Sequence, residues 1–272
     1  MLKIRIITAL IILPATLAVV FLTPPWLFRI LVGLLLLAGC AEYRRIADLS
    51  AGPGWALLVL QASIFAALLL AWPVPETIAL GLLAAACATW LLLFTRLIGF
   101  RPDARPNDRF RRLGFVSALS ALSFGFFALC WLREQENGAF VVFLLFLLIW
   151  ASDVGAYFSG RLLGRRKLAP RISPNKTWEG AYGGMALAVA AAFLLTAVIP
   201  GFEIAPPALV AMALATALAS IGGDLFISIH KRTVGLADTG TFLPGHGGVL
   251  DRYDSLLAGA PFYAFAFALL GQ

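Results

Sequence analysis

Apolar runs of about 20 residues recur along the whole chain, separated by short polar or proline- and glycine-marked breaks. A helix needs about that length to cross a bilayer core of roughly 30 Å. The pattern predicts nine spans, over residues 6–23, 26–42, 53–72, 77–97, 113–132, 139–160, 177–199, 206–229 and 254–271. Breaks fall where the chain carries Thr23-Pro24-Pro25, Gly52-Pro53-Gly54, Pro73-Val74-Pro75, Pro200-Gly201 and Pro206-Pro207. The spans differ in length and polarity and show no internal repeat, which argues against a duplicated transporter. The predicted fold class is therefore all-α, a polytopic membrane protein with about nine transmembrane helices. Lys3 and Arg5 ahead of an apolar core imitate a secretion signal. No small-residue cleavage site follows, so the first span is expected to be retained.

Composition agrees with this pattern. The 272 residues are 61% hydrophobic and 13% charged, where a soluble domain is roughly half apolar and a quarter charged. No polar stretch is long enough for a large soluble domain. Cys40, Cys87 and Cys130 fall in separate spans without metal-ligand spacing and are expected to pack. With the N-terminus in the cytoplasm and the spans alternating, 19 of the 21 lysines and arginines lie on the cytoplasmic side. Only Arg29 and Arg133 fall opposite. The net charge of +7 thus serves topology and anionic headgroups, and it does not call for a nucleic-acid partner.

Candidate chemistry lies where acids interrupt the apolar pattern. Asp153, in IWASDVGAYFSG, and Asp224, in ASIGGDLFISIHKR, sit inside predicted spans. An ionised carboxylate there costs several kcal/mol unless it is paired, hydrated or bound to a cation. Asp224, Ser228 and Lys231 share one helix face, and Gly222 and Gly223 beside them permit close helix approach. Asp251 and Asp254, three apart at the entry to the last span, share a face of its first turn. Asp224, Asp251 and Asp254 are expected to converge at the cytoplasmic surface. Three carboxylates without a histidine or thiolate cluster suit Mg2+, with room for a second cation, because that ion shares its shell with water and substrate phosphates. Lys231, Arg232 and Arg252 supply phosphate-binding cations, and Gly245, Gly247 and Gly248 let backbone approach closely. The loop KLAPRISPNKTWEG leads into span seven, with Lys176 and Thr177 placed to bind anionic substrate at a helix start. The whole is suited to a polyphosphate with its metal.

The stretches SIHKR and ADTGTFLPGHGGVLDRYD together resemble the signature of the phosphatidate cytidylyltransferases, or CDP-diacylglycerol synthases. SDVGAYFSGRLLGRRKLAPRISPNKTWEG is similar to that family's second marked segment. The resemblance implies an enzyme that condenses CTP with phosphatidic acid, giving CDP-diacylglycerol and pyrophosphate, with Mg2+ required. It implies a cytoplasm-facing active site built from the C-terminal helices, in residues 136–272, with about five N-terminal spans in 1–135. It carries Asp224, Asp251 and Asp254 to the cation centre and Ser228, Lys231 and Arg232 to a Ser-x-x-Lys-Arg element. His246, Gly247 and Gly248 match its turn, Asp238 its loop acid, and Asp153, Lys176 and Thr177 its upstream polar positions. The implied location is the bacterial inner membrane.

The chain departs from the pattern at three positions. Ala237 stands where the family carries lysine, His230 where it carries an aliphatic residue, and Tyr253 where the residue is smaller. A missing cation at 237 would weaken phosphate binding or change the lipid accepted unless His230 offsets it. The second reading is a diverged paralogue with an altered lipid substrate or mainly a lipid-binding or assembly role. CDP-alcohol phosphotransfer is disfavoured because its Asp-Gly-x-x-Ala-Arg lead-in is absent. Glycine-lined spans suit intramolecular packing and a homodimer equally.

Overall fold

The computed structural model describes residues 2–101, 105–198, 204–240 and 247–271, with side chains from residue 10 onward. Nine α-helices run through these residues: α1 (Leu2–Leu22), α2 (Pro25–Ile46), α3 (Ala51–Leu70), α4 (Glu76–Ile98), α5 (Asp108–Glu134), α6 (Gly138–Leu163), α7 (Trp178–Val198), α8 (Pro206–Thr233) and α9 (Leu250–Leu270). Helices α2 to α9 are each long and apolar enough to cross a membrane, and α1 adds an apolar stretch over Leu10–Leu22. Each predicted span lies on one of them, so the all-α class holds.

The punctuation acts as its chemistry requires. Pro25 and Pro206 open their helices at a position whose N–H would have no partner. Asn107 caps α5 by accepting from Phe110 N at 2.9 Å. Asn137, at φ 53°, turns the chain from α5 into α6, a left-handed conformation that asparagine tolerates better than most residues.

One element was not expected. The polar segment between α6 and α7 forms a hairpin of β1 (Lys167–Ala169) and β2 (Ser173–Thr177), antiparallel, with Lys167 opposite Thr177 and Ala169 opposite Ser173. Its charged residues hid the strand pattern, and at three and five residues the strands are too short for alternation to register.

One apolar core joins every helix, drawing Val20, Phe28, Leu57, Leu83, Phe126, Leu145, Ala188, Met212 and Leu257 into a single cluster. The N-terminal helices are thus not a separate layer: α9 packs on α8 but also on α5, α4, α6 and α2. Outward faces carry Leu22, Leu70, Leu92, Ile98 and Leu194, as a lipid-facing surface would. Arg29 and Arg133, the two basic residues on the minority side, are both anchored within the protein. Arg29 pairs with Glu134 and lies over the Trp72 ring, and Arg133 donates to Thr23 O at 2.8 Å.

Close packing of α6 on α7 sets the position of the hairpin between them. Small residues let these helix backbones nearly touch. A Cβ on Gly155 would lie 2.6 Å from the carbonyl oxygen of Gly183 and 3.0 Å from Gly184 Cα. Gly155→Ala is therefore expected to destabilise the protein by about 1–3 kcal/mol, the usual cost of overpacking. Gly81, in α4, has open space around it, and Gly81→Ala is expected to be neutral or stabilising. Thermal unfolding of the two variants in one detergent tests the contrast.

Candidate active site

Asp224 lies near the middle of α8 and Asp254 one turn into α9. Gly223 allows these helices to close up: a Cβ there would lie 2.8 Å from Asp254 O and from Ala258 Cβ. The approach brings Asp224, Lys176 and Lys231 into the electrostatic surroundings of Asp254. Asp254 is buried, at 8% exposed, and accepts Ser255 N at 2.7 Å. Asp224 takes Lys176 Nζ at 2.5 Å and Ser228 Oγ at 3.3 Å. The lysine arrives on β2, so the hairpin explains how a residue 48 positions away in sequence reaches α8. Asp153, from α6, lies within reach of Asp224, Lys176 and Arg252.

Asp251 is held by the protein at both of its oxygens. Its Oδ1 accepts Lys231 Nζ at 2.7 Å. Its Oδ2 faces Thr239 N at 2.8 Å, Thr239 Oγ1 at 3.0 Å and Gly248 N at 2.9 Å. Both oxygens are engaged by the protein. Among the described residues, no three of histidine, cysteine, aspartate and glutamate converge tightly enough to hold a metal ion. All three acids of the expected trio are held by donors of the protein: Asp224 by Lys176 and Ser228, Asp254 by Ser255 N, and Asp251 by Lys231 and the loop, which it ties to α8. Mg2+ needs only one or two protein carboxylates when water and substrate phosphates complete its shell. Asp224 and Asp254 fit that requirement.

Several other expected residues have structural work. Thr177 is buried and caps α7, its Oγ1 accepting Gly180 N at 3.1 Å. Arg232 is exposed and donates to Leu236 O at 3.0 Å, closing the chain after α8. The amide of Gly248 serves Asp251 rather than an incoming phosphate. Gly247 adopts φ +81°, and a Cβ there would lie 2.8 Å from Asp251 Oδ2, so glycine is required by both backbone and space. Asp238 is exposed, on the rim beside Gly247. Gly245 and His246 lie outside the described residues. His230 does not offset Ala237: it is 1% exposed, ringed by Tyr43, Phe110 and Phe226, with its Nδ1 3.1 Å from Phe226 O.

Sequence reasoning missed Glu42, in α2. Its buried carboxylate accepts Val249 N and Leu250 N, each at 2.9 Å, and Thr239 Oγ1 at 2.8 Å. The signal was an acid among apolar neighbours, LLLLAGCAEYRR, hidden by its closeness to the span end.

A cavity of about 230 Å³ opens onto this cluster, with Asp153, Asp251, Arg252, Asp254 and Ser255 in its polar wall. A second, of about 320 Å³, is almost wholly apolar and is lined by Val19, Phe28, Val32, Leu36 and Leu129 among others. Ile12, Thr16, Phe146, Arg252, Tyr253 and Leu256 belong to both. Tyr253 and Thr16 line both cavities, so this departure from the pattern stands at the junction between polar and apolar space. A larger surface groove of about 860 Å³, over Asp48, Asp108, Arg111 and Arg112, contains none of these residues. Its acids are already paired with Arg111, at 2.8 and 3.1 Å.

Comparison with known proteins places the chain in a family. A sequence profile of the Cytidylyltransferase family matches residues 3–270. A protein named phosphatidate cytidylyltransferase from Pseudomonas aeruginosa is 38% identical over 97% of this chain and 96% of its own. One of the same name from Haemophilus influenzae is 34% identical over 98% and 99%, and one from Brucella suis 40% identical over 76% and 70%. The match spans both the N-terminal helices and the acidic cluster, and this chain is a member of the cytidylyltransferase family.

Proposed function

We propose that this chain is a phosphatidate cytidylyltransferase, condensing CTP with phosphatidic acid to give CDP-diacylglycerol and pyrophosphate in phospholipid synthesis. The observation that carries the reading is the pair of adjoining cavities. A polar space lined by acids and Arg252 opens onto an apolar space, with Arg252 and Tyr253 in both walls. A phosphomonoester with acyl tails has that division of chemistry, and a nucleotide alone does not. Full-length similarity to proteins bearing the enzyme's name favours it over a lipid-binding paralogue.

In the reaction, a phosphate oxygen of phosphatidic acid attacks the α-phosphorus of CTP. The bond from that phosphorus to the bridging oxygen breaks, and pyrophosphate departs. No general base is needed, because a phosphate monoester with a second pKa of about 6 is already ionised near neutral pH. The chain's task is positioning and charge neutralisation. Arg252, exposed in the shared wall, meets the lipid phosphate. Lys176 stands beside Asp224, where it can move from carboxylate to phosphate as substrate enters. Lys231 is held on Asp251 and keeps the loop in place. Asp224 and Asp254 would hold Mg2+, which when bound neutralises the phosphates and steadies the leaving group. The proposed orientation places the N-terminus and this site in the cytoplasm, with the protein in the inner membrane, so that nucleotide arrives from water and lipid from the bilayer.

Pyrophosphate release by the purified protein should require CTP, phosphatidate in the micelles and Mg2+. A chelator should abolish it and added Mg2+ restore it. Asp254→Asn should lower turnover about 100-fold or more without unfolding the protein. Pyrophosphate release without lipid, or Asp254→Asn at wild-type rate, would refute the assignment.

The two lysines should separate in their effects. Lys231→Met leaves Asp251 buried without its cation, the pair being 10% and 4% exposed, and should cost about 3 kcal/mol of stability. Lys176→Met breaks a half-exposed pair, at 26% and 31%, and should cost less than about 1 kcal/mol. It should still lower turnover about tenfold or more. Unfolding and rate measurements on both variants read out the difference.

A further inference from the structure

Glu42 lies outside both family segments, in the second helix, yet it makes more hydrogen bonds to the acidic loop than any residue that resembles a catalytic one except Asp251. Its Oε1 accepts Val249 N, and its Oε2 accepts Leu250 N and Thr239 Oγ1. Val249 and Leu250 open α9, where backbone amides have no partner within the helix and the helix dipole favours an anion. The carboxylate is 9% exposed and, among the described residues, forms no ion pair. Its charge is balanced by these donors and by the end of the helix.

The surrounding backbone is shaped to admit it. A Cβ on Gly248 would collide with Glu42 Oε2 and Thr239 Oγ1, and one on Gly240 would collide with the same carboxylate. These glycines make room for an acid of the protein's own.

The contacts continue into the site. Thr239 Oγ1 lies between Glu42 Oε2 at 2.8 Å and Asp251 Oδ2 at 3.0 Å, and Asp251 in turn holds Lys231 at 2.7 Å. A hydroxyl has one proton to donate, so Thr239 serves one acid at a time while its backbone N–H stays on Asp251. Asp254 is one helical turn beyond Leu250. Holding the amides of residues 249 and 250 therefore sets both the rotation and the axial position of α9 at Asp254.

We propose that Glu42 is a positioning residue for nucleotidyl transfer, an acidic clamp from α2 that fixes the first turn of α9 and so places Asp254 against Asp224. This rests on the cytidylyltransferase reading. Glu42 touches no reacting atom, and by filling the helix terminus it leaves phosphate recognition to the lysines and Arg252.

The test compares full-length wild type with Glu42→Gln, Thr239→Val and, as a remote control, Gln61→Ala. Gln61 makes a similar buried tie, from α3 to Ser123 Oγ at 2.9 Å. Two readouts are taken on folded protein: steady-state pyrophosphate release with phosphatidate and CTP, and hydrogen–deuterium exchange by peptide. Glutamine keeps the shape but presents an amide to one of the amides it must cap. Glu42→Gln should lower kcat about tenfold or more, with both KM values within about twofold of wild type. Exchange should quicken over residues 247–255 and stay unchanged over α6 and α7. Thr239→Val should show the same local pattern with a smaller loss, and Gln61→Ala should keep wild-type kcat.

Glu42→Gln at wild-type kcat, or exchange quickened equally throughout the chain, would overturn the clamp. If Glu42→Gln does not fold, Thr239→Val decides: wild-type kcat and exchange there would reduce Glu42 to a packing role. An inactive wild type would refute the enzyme reading instead, while the exchange pattern would still decide the clamp.

Discussion

A carboxylate wholly or partly taken out of water has to find donors or a cation, and four of them organise the start of α9 and its surroundings. Glu42 is satisfied by the start of α9 and by a threonine hydroxyl. Asp251 is satisfied by Lys231 and by amides of the loop. Asp224 has Lys176 from the hairpin. Asp254 is the exception: it lies in the electrostatic surroundings of Asp224, accepts Ser255 N, and among the described residues forms no ion pair. Two acids held together and incompletely neutralised make an arrangement suited to a bound cation.

The hold of Glu42 on α9 gives the N-terminal helices a share in the site. The two segments that resemble the family signature lie in the C-terminal half, and the first five helices read in sequence like generic membrane spans. The core nevertheless runs through all of them, and the amino-terminal turn of α9 is held from α2. Glycine backbones do the complementary work between α6 and α7 and between α8 and α9. There the missing Cβ atoms let helices approach until Lys176, Asp224 and Asp254 share one space.

The polar and apolar cavities meet at Arg252 and Tyr253. A lipid with a phosphate headgroup has to keep its tails in an apolar medium while its phosphate reaches a soluble nucleotide. A helix start crossing from polar loop to apolar bundle is a natural place for that meeting. Arg252 and Tyr253 are neighbours in sequence, and they present a cation and an amphipathic ring to the same boundary.

Hydrophobic period, proline and glycine punctuation, and the placement of basic residues were enough to read nine helices, because a bilayer-spanning helix is specified by local composition. Asp224 stood out for a related reason: charge inside an apolar run is costly. Other features were decided only by the fold. The hairpin carrying Lys176 is too short and too polar for strand alternation to register. Thr177 and Asp251 look in sequence like binding groups, and only the packed structure shows that they also hold the frame, through Gly180, Lys231, Thr239 and Gly248. Glu42 reaches α9 across more than 200 positions. Which donors satisfy a buried carboxylate is a question of which helices become neighbours, and that is settled by packing rather than by any local pattern.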